Sequence, residues 1–288
     1  MPEIEVYQNY FKQHGFWIEA IQSPSAKVLS AYDVEWHLMG MDTSTKSKYR
    51  LKIHEYISLS LPPFPQLKNS IKYYFNTKPD LRIFQNPEVK SELRFSDQVP
   101  YLFRDAGISA HFFDLLQTPK KEYDFVYLGA MDTTRRIHVL LNHFCKKLKN
   151  HKLLMIGDPP LSLYNKYKFE RNIYFTGKQS YSEIPSLLKT AVYGLNYIPP
   201  RYPYYYQPSL KLIEYCAAGL NVITTSYQWV NIFEATNKAR FYKVNESLND
   251  LSFESLVDFD FVIPDVRHLQ WDFILNESGI LHKIQSML

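Results

Sequence analysis

Along the first part of the chain the apolar positions switch repeatedly between a period near 3.6 and a period of two, the marks of helix and strand. Helical spacing predicts a helix over 3–14, stopped by Gly15, and another over 66–76, set off by the breaker run Pro62, Pro63 and Pro65. A short third helix is expected over 90–95. Alternation predicts strands over 16–21, 31–38, 51–58 and 80–86, with a polar, basic loop over 43–49. Periodicity fades between His111 and Lys121, where TPKKEYD marks a link between two domains, expected as 1–116 and 117–265. The second domain is the more regular. Strands at 125–128, 152–156, 173–175, 193–197, 221–225 and 241–244 alternate with helices at 136–149, from Ser162, and at 181–191, 209–218 and 227–236. Such alternation implies an α/β fold of parallel sheets with helices on both sides. A tail over 266–288 carries a helix with Trp271, Phe273 and Ile274 on one side.

The most informative stretch is PSLKLIEYCAAGLNVITT, residues 208–225. Leu210, Ile213 and Tyr215 to Ala217 fall on one buried helical face, whereas Lys211 and Glu214, three apart, share another near the helix start. Pro208 and Ser209 suit a first turn, Gly219 suits the stop, and 221–225 reads as a short, buried, β-branched strand. A helix start that carries a fixed cation, followed by a turn and a buried strand, can hold an anionic ligand against backbone N–H groups. An ordinary αβ unit with a Lys–Glu surface pair has the same pattern.

Composition narrows the chemistry. With 288 residues, 45% of them apolar, the chain can form one large domain or two small ones with a sizeable core. Only 9 glycines occur, and neither GxGxxG nor GxxxxGK[ST] is present, which excludes Gly-rich phosphate loops of the dinucleotide and Walker types. The 23 tyrosines favour surfaces that stack on planar or sugar faces. A net charge of +4 suits anionic substrates or lipid head groups and does not indicate a nucleic-acid partner. Cys145 and Cys216 sit in apolar helical patterns with no CxxC or HExxH spacing, so they read as free thiols and no metal site is expected. No run of about eighteen apolar residues exists, and MPEIEVYQNYF matches neither a signal nor a transit peptide. A cytoplasmic location is expected, with peripheral contact at the inner membrane face as an extension of it.

Around 208–225 lie EYDFVYLGAMDTTRRI (122–137), HKLLMIGDPP (151–160) and NIYFTGKQSYSEIPSLLKTAVYGLNYIPP (172–200). In order and spacing these blocks resemble the C-terminal nucleotide-sugar-binding domain of GT-B glycosyltransferases of the group 1, retaining type. That pattern is a strand ending in Gly, a basic residue about six on, a strand ending in I-G, a v-x-F-x-G strand, then P-x-K-x-x-E-Y-x-A-x-G-x-x-V-x-x-T. The resemblance spans residues 122–226, and five blocks in register are its strength.

It implies two Rossmann-like domains, the first shortened and lacking the usual opening strand with its Gly-rich turn. It further implies a C-terminal helix, within 266–288, that crosses back to the first domain. The implied activity is transfer of a sugar from a nucleotide-diphosphate donor to a glycan or glycolipid acceptor, in cell-surface polysaccharide assembly. No metal or other cofactor is implied; the nucleotide-diphosphate-sugar is a substrate.

By the same resemblance, Lys211 contacts phosphate and Glu214 accepts the ribose hydroxyls. Arg135, beside Arg136 and after strand-end Gly129, occupies the family's phosphate-binding Lys position, whereas Ala130 stands where many members carry Arg. Gly177 and Lys178 follow the strand whose backbone embraces the nucleobase. Tyr206 stands eight residues before Glu214, where retaining members often have a second Glu. Its loop, YPYYYQP, can line the donor sugar or pack as an ordinary aromatic loop, so the stereochemical outcome stays open.

The residues themselves add further candidates. Basic residues at a helix start, as at Arg135 and Arg136, oppose the helix dipole and point to a bound anion, with a solvated helix start as the alternative. An inverting enzyme needs a general base from the first domain. His37, His54 and Glu55 lie on strands expected there, and alternation lets His54 and Glu55 face opposite sides. A lone His in an apolar strand also fits a satisfied core residue; an acid buried beside Ile53, Tyr56 and Ile57 needs a role or a partner. The helix at 66–76 combines Leu67, Ile71, Tyr74 and Phe75 with Lys68, Lys72 and nearby Lys78. It either lies at an anionic interface or packs its apolar side on the sheet. Two rival functions remain: a sugar-nucleotide epimerase or hydrolase of this architecture, and a non-catalytic nucleotide-sugar or glycan-binding partner of a glycosylation complex.

Overall fold

The computed structural model describes residues 2–22, 31–38, 40–44, 51–113 and 119–288. Most of the loop expected at 43–49 and part of the link at 111–121 lie outside them. The chain forms two compact units, Met1–Gly107 with Leu269–Leu288, and Ile108–His268.

The first unit is built on a four-stranded parallel sheet in the order β1 (Val34–Leu38), β2 (Leu51–Tyr56), β3 (Leu81–Phe84), β4 (Tyr101–Phe103). Strand alternation gives this sheet two unlike faces. Leu51, Ile53, Leu81 and Ile83 pack with Tyr7, Tyr10 and Phe11 of the helix Pro2–Gln13 and with Trp271, Leu275, Ile280 and Ile284 of the two C-terminal helices. The tail over 269–288 is therefore part of the first unit's core. A Cβ on Gly107 would lie 2.3 Å from the Trp271 ring, so only glycine allows that close approach.

The opposite face is charged. Lys52, His54 and Arg82 are all buried there. Lys52 Nζ donates to Asp42 (3.1 Å) and Ser44 Oγ (2.6 Å), and Arg82 forks onto Asp97 and stacks 4.0 Å from the centre of Phe95.

Three local expectations differ from the structure. Residues 16–21 are irregular: Phe16 and Ile18 pack against the core, but no neighbouring strand pairs with them. The short helix runs Pro87–Leu93 instead of 90–95, because Asn86 caps it by accepting from Val89 N (2.7 Å) and Pro87 takes the first turn. The helix Pro65–Phe75 does not turn its apolar side to the sheet. Its buried residue is Asn69, which accepts from Ser60 N (3.3 Å), while Leu67, Ile71, Tyr74 and Phe75 are exposed.

The second unit holds a six-stranded parallel sheet: β5 (Tyr123–Leu128), β6 (Leu153–Ile156), β7 (Ile173–Gly177), β8 (Ala191–Asn196), β9 (Asn221–Thr225) and β10 (Tyr242–Val244). Their spatial order is β10-β9-β8-β5-β6-β7. Phe125, Tyr127, Leu153, Met155, Tyr193 and Leu195 form the core with Leu140, Leu141 and Phe144 of the helix Ile137–Lys146. The helix expected at 181–191 is a 3₁₀ turn, Tyr181–Glu183, followed by a short helix, Ile184–Lys189, with Pro185 in its first turn. A Cβ on Gly194 would meet the Tyr215 ring at 2.5 Å, so the helix Leu210–Ala217 sits directly on β8.

Candidate functional site

The second sheet grows outward from β5 through β6 and β7, then returns to the other side of β5 with β8, β9 and β10. The order reverses between β5 and β8, so the loops after these two strands leave in opposite directions and open a crevice at their C-terminal ends.

The loop after β5 begins at Gly129, whose φ of +125° is left-handed. It packs tightly: a Cβ on Gly157 would lie 2.4 Å from the Gly129 carbonyl oxygen. The following 3₁₀ turn, Thr133–Arg135, is capped by Asp132, whose carboxylate accepts from Arg135 N (3.0 Å) and Thr134 Oγ1 (2.5 Å). Arg135 places its guanidinium 5.3 Å from the Tyr204 ring centre, and the Tyr204 hydroxyl lies 3.3 Å from Thr134 Oγ1. The loops after β5 and β8 thus meet. Arg136 is half-exposed and pairs with Glu246 at 2.5 Å.

The helix Leu210–Ala217 starts at Ser209, which accepts from Leu212 N (3.4 Å) and donates to Asn196 Oδ1 (2.7 Å). Buried Asn196 in turn donates to Thr224 Oγ1 (2.9 Å) and the Tyr227 hydroxyl (3.1 Å). This network fixes the helix start to the ends of β8 and β9. Ser209→Ala is expected to cost about 1 kcal/mol in a urea titration, the usual effect of losing a cap.

Two residues beyond the cap, Lys211 is 7% exposed, and its Nζ is buried with no hydrogen-bond partner. It lies 4.3 Å from the centre of the Tyr127 ring. Burial drives its ammonium well below the ordinary value; Arg135 adds to this, and Glu214 and Asp132 oppose it. Gln207 Nε2, four residues earlier, is likewise buried without a partner. Glu214, 6% exposed, has its carboxyl pushed up to about 7 by burial, against a hydrogen bond from Tyr181 and the charge of Lys211. The reading of Lys211 and Glu214 as a solvated surface pair is overturned. A cation and an acid are buried together there, and the cation's donors are unused.

Gly177 ends β7 in a left-handed conformation (φ +71°) and accepts from Gly157 N (3.1 Å); Lys178 beside it is exposed. Tyr206 is half-buried in the 3₁₀ turn Tyr204–Tyr206, its ring 5.9 Å from that of Tyr205 and 6.5 Å from that of Tyr202. Gly129, Arg135, Tyr206, Lys211 and Glu214 therefore gather at the reversal of strand order, with Gly177 and Lys178 two strands away past β6.

The three candidates of the first unit are placed differently from one another. Glu55 has no exposure; it accepts from Tyr7 (2.8 Å) and Trp36 Nε1 (3.0 Å) and is paired with buried Arg104. His54 is also fully buried, with Nε2 2.9 Å from Asp42. Burial lowers its pKa although Asp42 opposes the shift. Only His37 reaches the surface, with 26% of its side chain exposed and Nε2 2.5 Å from Glu35. Of these three, His37 alone can meet a ligand.

Sequence reasoning did not single out Gln207, Asp132, Asn196 or Tyr181, and took Ser209 only as a first-turn residue. The signal for Ser209 and Asp132 was present as capping chemistry; nothing local marks the burial of Gln207.

Residues 122–247 match the family model described as Glycosyl transferases group 1. No curated protein matches the chain significantly. Among solved structures, Anabaena HepE in complex with UDP-glucose superposes with a TM-score of 0.66 at 10% identity, over 98% of this chain and 89% of that one. A glycosyltransferase from Rickettsia africae gives 0.62 at 15% identity, over 97% and 87%. Sucrose-phosphate synthase from Thermosynechococcus elongatus gives 0.61 at 16%, over 83% and 69%. The fold is that of GT-B glycosyltransferases, and the family match over the second unit supports sugar transfer.

Proposed function

We propose that the protein is a glycosyltransferase that takes a sugar from a nucleotide-diphosphate donor bound at the reversal of strand order in the second unit. The observation that carries this reading is the buried, unpartnered Nζ of Lys211 one residue into a helix, with Glu214 a turn away. A diphosphate satisfies both needs at once. It supplies acceptor oxygens to Lys211 and Gln207 and negative charge to a helix start. Arg135 adds a second cation from the facing loop, and Glu214 accepts the ribose hydroxyls.

In the reaction the bond from the sugar's anomeric carbon to the diphosphate oxygen breaks, and a bond to the acceptor hydroxyl oxygen forms. The hydroxyl proton passes to the departing diphosphate or to a base. Lys211 and Arg135 act on the charge that grows on the leaving oxygen, where preorganised donors have their largest effect. His37 is the candidate of the first unit for a base in an inverting course. A glycan or glycolipid acceptor in cell-surface polysaccharide assembly fits this chemistry.

Calorimetric titration with nucleoside diphosphates and their sugars tests the site, with uridine donors first because HepE holds UDP-glucose. Saturable binding is expected. Release of nucleoside diphosphate that rises when acceptor glycans are added marks the transferase. Binding with no release under any acceptor would mark a non-catalytic partner instead.

A further inference from the structure

The helix Pro65–Phe75 leaves its apolar stripe exposed among the described residues. Successive residues rotate by about 100° around a helix axis. Leu67, Ile71, Tyr74 and Phe75 therefore fall together, opposite Asn69, the buried position. Leu67 is 60% exposed, Tyr74 76% and Phe75 67%, and Phe64 just before the helix is 73% exposed. An amphipathic helix of a globular domain ordinarily directs such a stripe at the core. Here the sheet face carries buried Lys52, His54 and Arg82 beside Tyr56 and Phe84, and the stripe stays exposed instead of packing on it.

Two further observations say what covers the stripe. Phe64 is held at φ +55°, a left-handed conformation that is unfavourable for a bulky residue, and its ring extends the exposed stripe. The segment 61–78 carries Lys68, Lys72 and Lys78 and no Asp or Glu. Lys72 is half-buried, and burial lowers its pKa; Lys68 and Lys78 are exposed. A protein groove for this helix would not need a wholly basic rim. A surface of lipid phosphates over acyl chains would.

We propose that the helix Pro65–Phe75 lies flat in the surface of an anionic lipid bilayer, with Phe64, Leu67, Ile71, Tyr74 and Phe75 at the boundary of head groups and acyl chains and Lys68 and Lys78 against lipid phosphates. The attachment is peripheral: no helix among the described residues is long and apolar enough to cross a membrane. It belongs to the first unit and stands whether or not the donor site is assigned correctly.

Co-sedimentation of the full chain with phosphatidylcholine vesicles, with and without phosphatidylglycerol, tests it at low and high salt. Binding is expected only where phosphatidylglycerol is present, and weaker at high salt. Lys68→Ala and Lys78→Ala should each lower the partition coefficient about fivefold. Replacing Leu67, Tyr74 and Phe75 together by Ser should abolish sedimentation with an unchanged melting temperature, since all three side chains are exposed. The proposal fails if the chain ignores anionic vesicles at low salt, binds neutral ones equally, or still sediments as the triple variant. It fails too if sedimentation velocity shows a dimer that the triple variant dissolves, because a second copy would then be the occupant.

Discussion

Replacing Lys211 by methionine is expected to weaken binding of a nucleoside diphosphate by about 10- to 150-fold, the range of a hydrogen bond to a charged group at about 1.5–3 kcal/mol. The ligand-free protein should be at least as stable as before. Lys211 Nζ is buried and makes no hydrogen bond, so in the empty protein it is a desolvated amine without compensation. Methionine fills a similar volume with apolar atoms, and below pH about 7 Glu214 is left as a neutral acid, so the exchange strands no buried charge. A lysine kept for structure behaves the opposite way: its loss lowers stability. Calorimetry with a nucleoside diphosphate and a urea titration without ligand separate the two. Unchanged affinity together with a lowered unfolding midpoint would reject the donor-site assignment.

The same lysine shows where sequence legibility ended. The strand 221–225 was legible to the residue, because a β-branched run bounded by Gly219 and polar Ser226 has one good reading. The burial of Lys211 was not. A lysine at a helix start, three residues from a glutamate, has the local signature of a surface pair, and what lies against it is the Tyr127 ring of β5, far away in sequence. Glu55 presents the converse: its need for a partner was legible, but the partner, Arg104, lies 49 residues further on. For the helix Pro65–Phe75 the stripe was plain in the sequence and its direction was not. That direction depends on which face of the sheet the helix covers. Lys52, His54 and Arg82 make that face polar through strand alternation, and only the register between strands brings them together.

Glu214 gives the second large effect, and it is a dependence on pH. In the unfolded chain its carboxyl titrates near 4.5; in the folded chain burial pushes it up to about 7, against Tyr181 and Lys211. Below the lower value both states hold the proton, and burial of the neutral acid carries no electrostatic penalty. Between about 4.5 and 7 the unfolded chain ionises while the folded chain keeps the proton. The contribution is lost across that range, on the order of 3 kcal/mol in all, and levels off once the folded state ionises. The ligand-free protein should therefore be less stable at pH 8 than at pH 5 by most of that amount relative to Glu214→Gln, which cannot titrate. Making both measurements in a Lys211→Met background removes the coupled titration of the neighbouring amine. A difference that stays flat across this range would remove the buried neutral acid from the account. Ligand binding should run the other way. Ribose hydroxyls donate better to a carboxylate than to a neutral acid, so affinity should rise as pH passes about 7, where the fall in stability levels off. Glu214→Gln should lose this rise and discriminate less between uridine diphosphate and its 2′-deoxy analogue. Equal losses for the two nucleotides would instead make Glu214 a structural partner of the helix start.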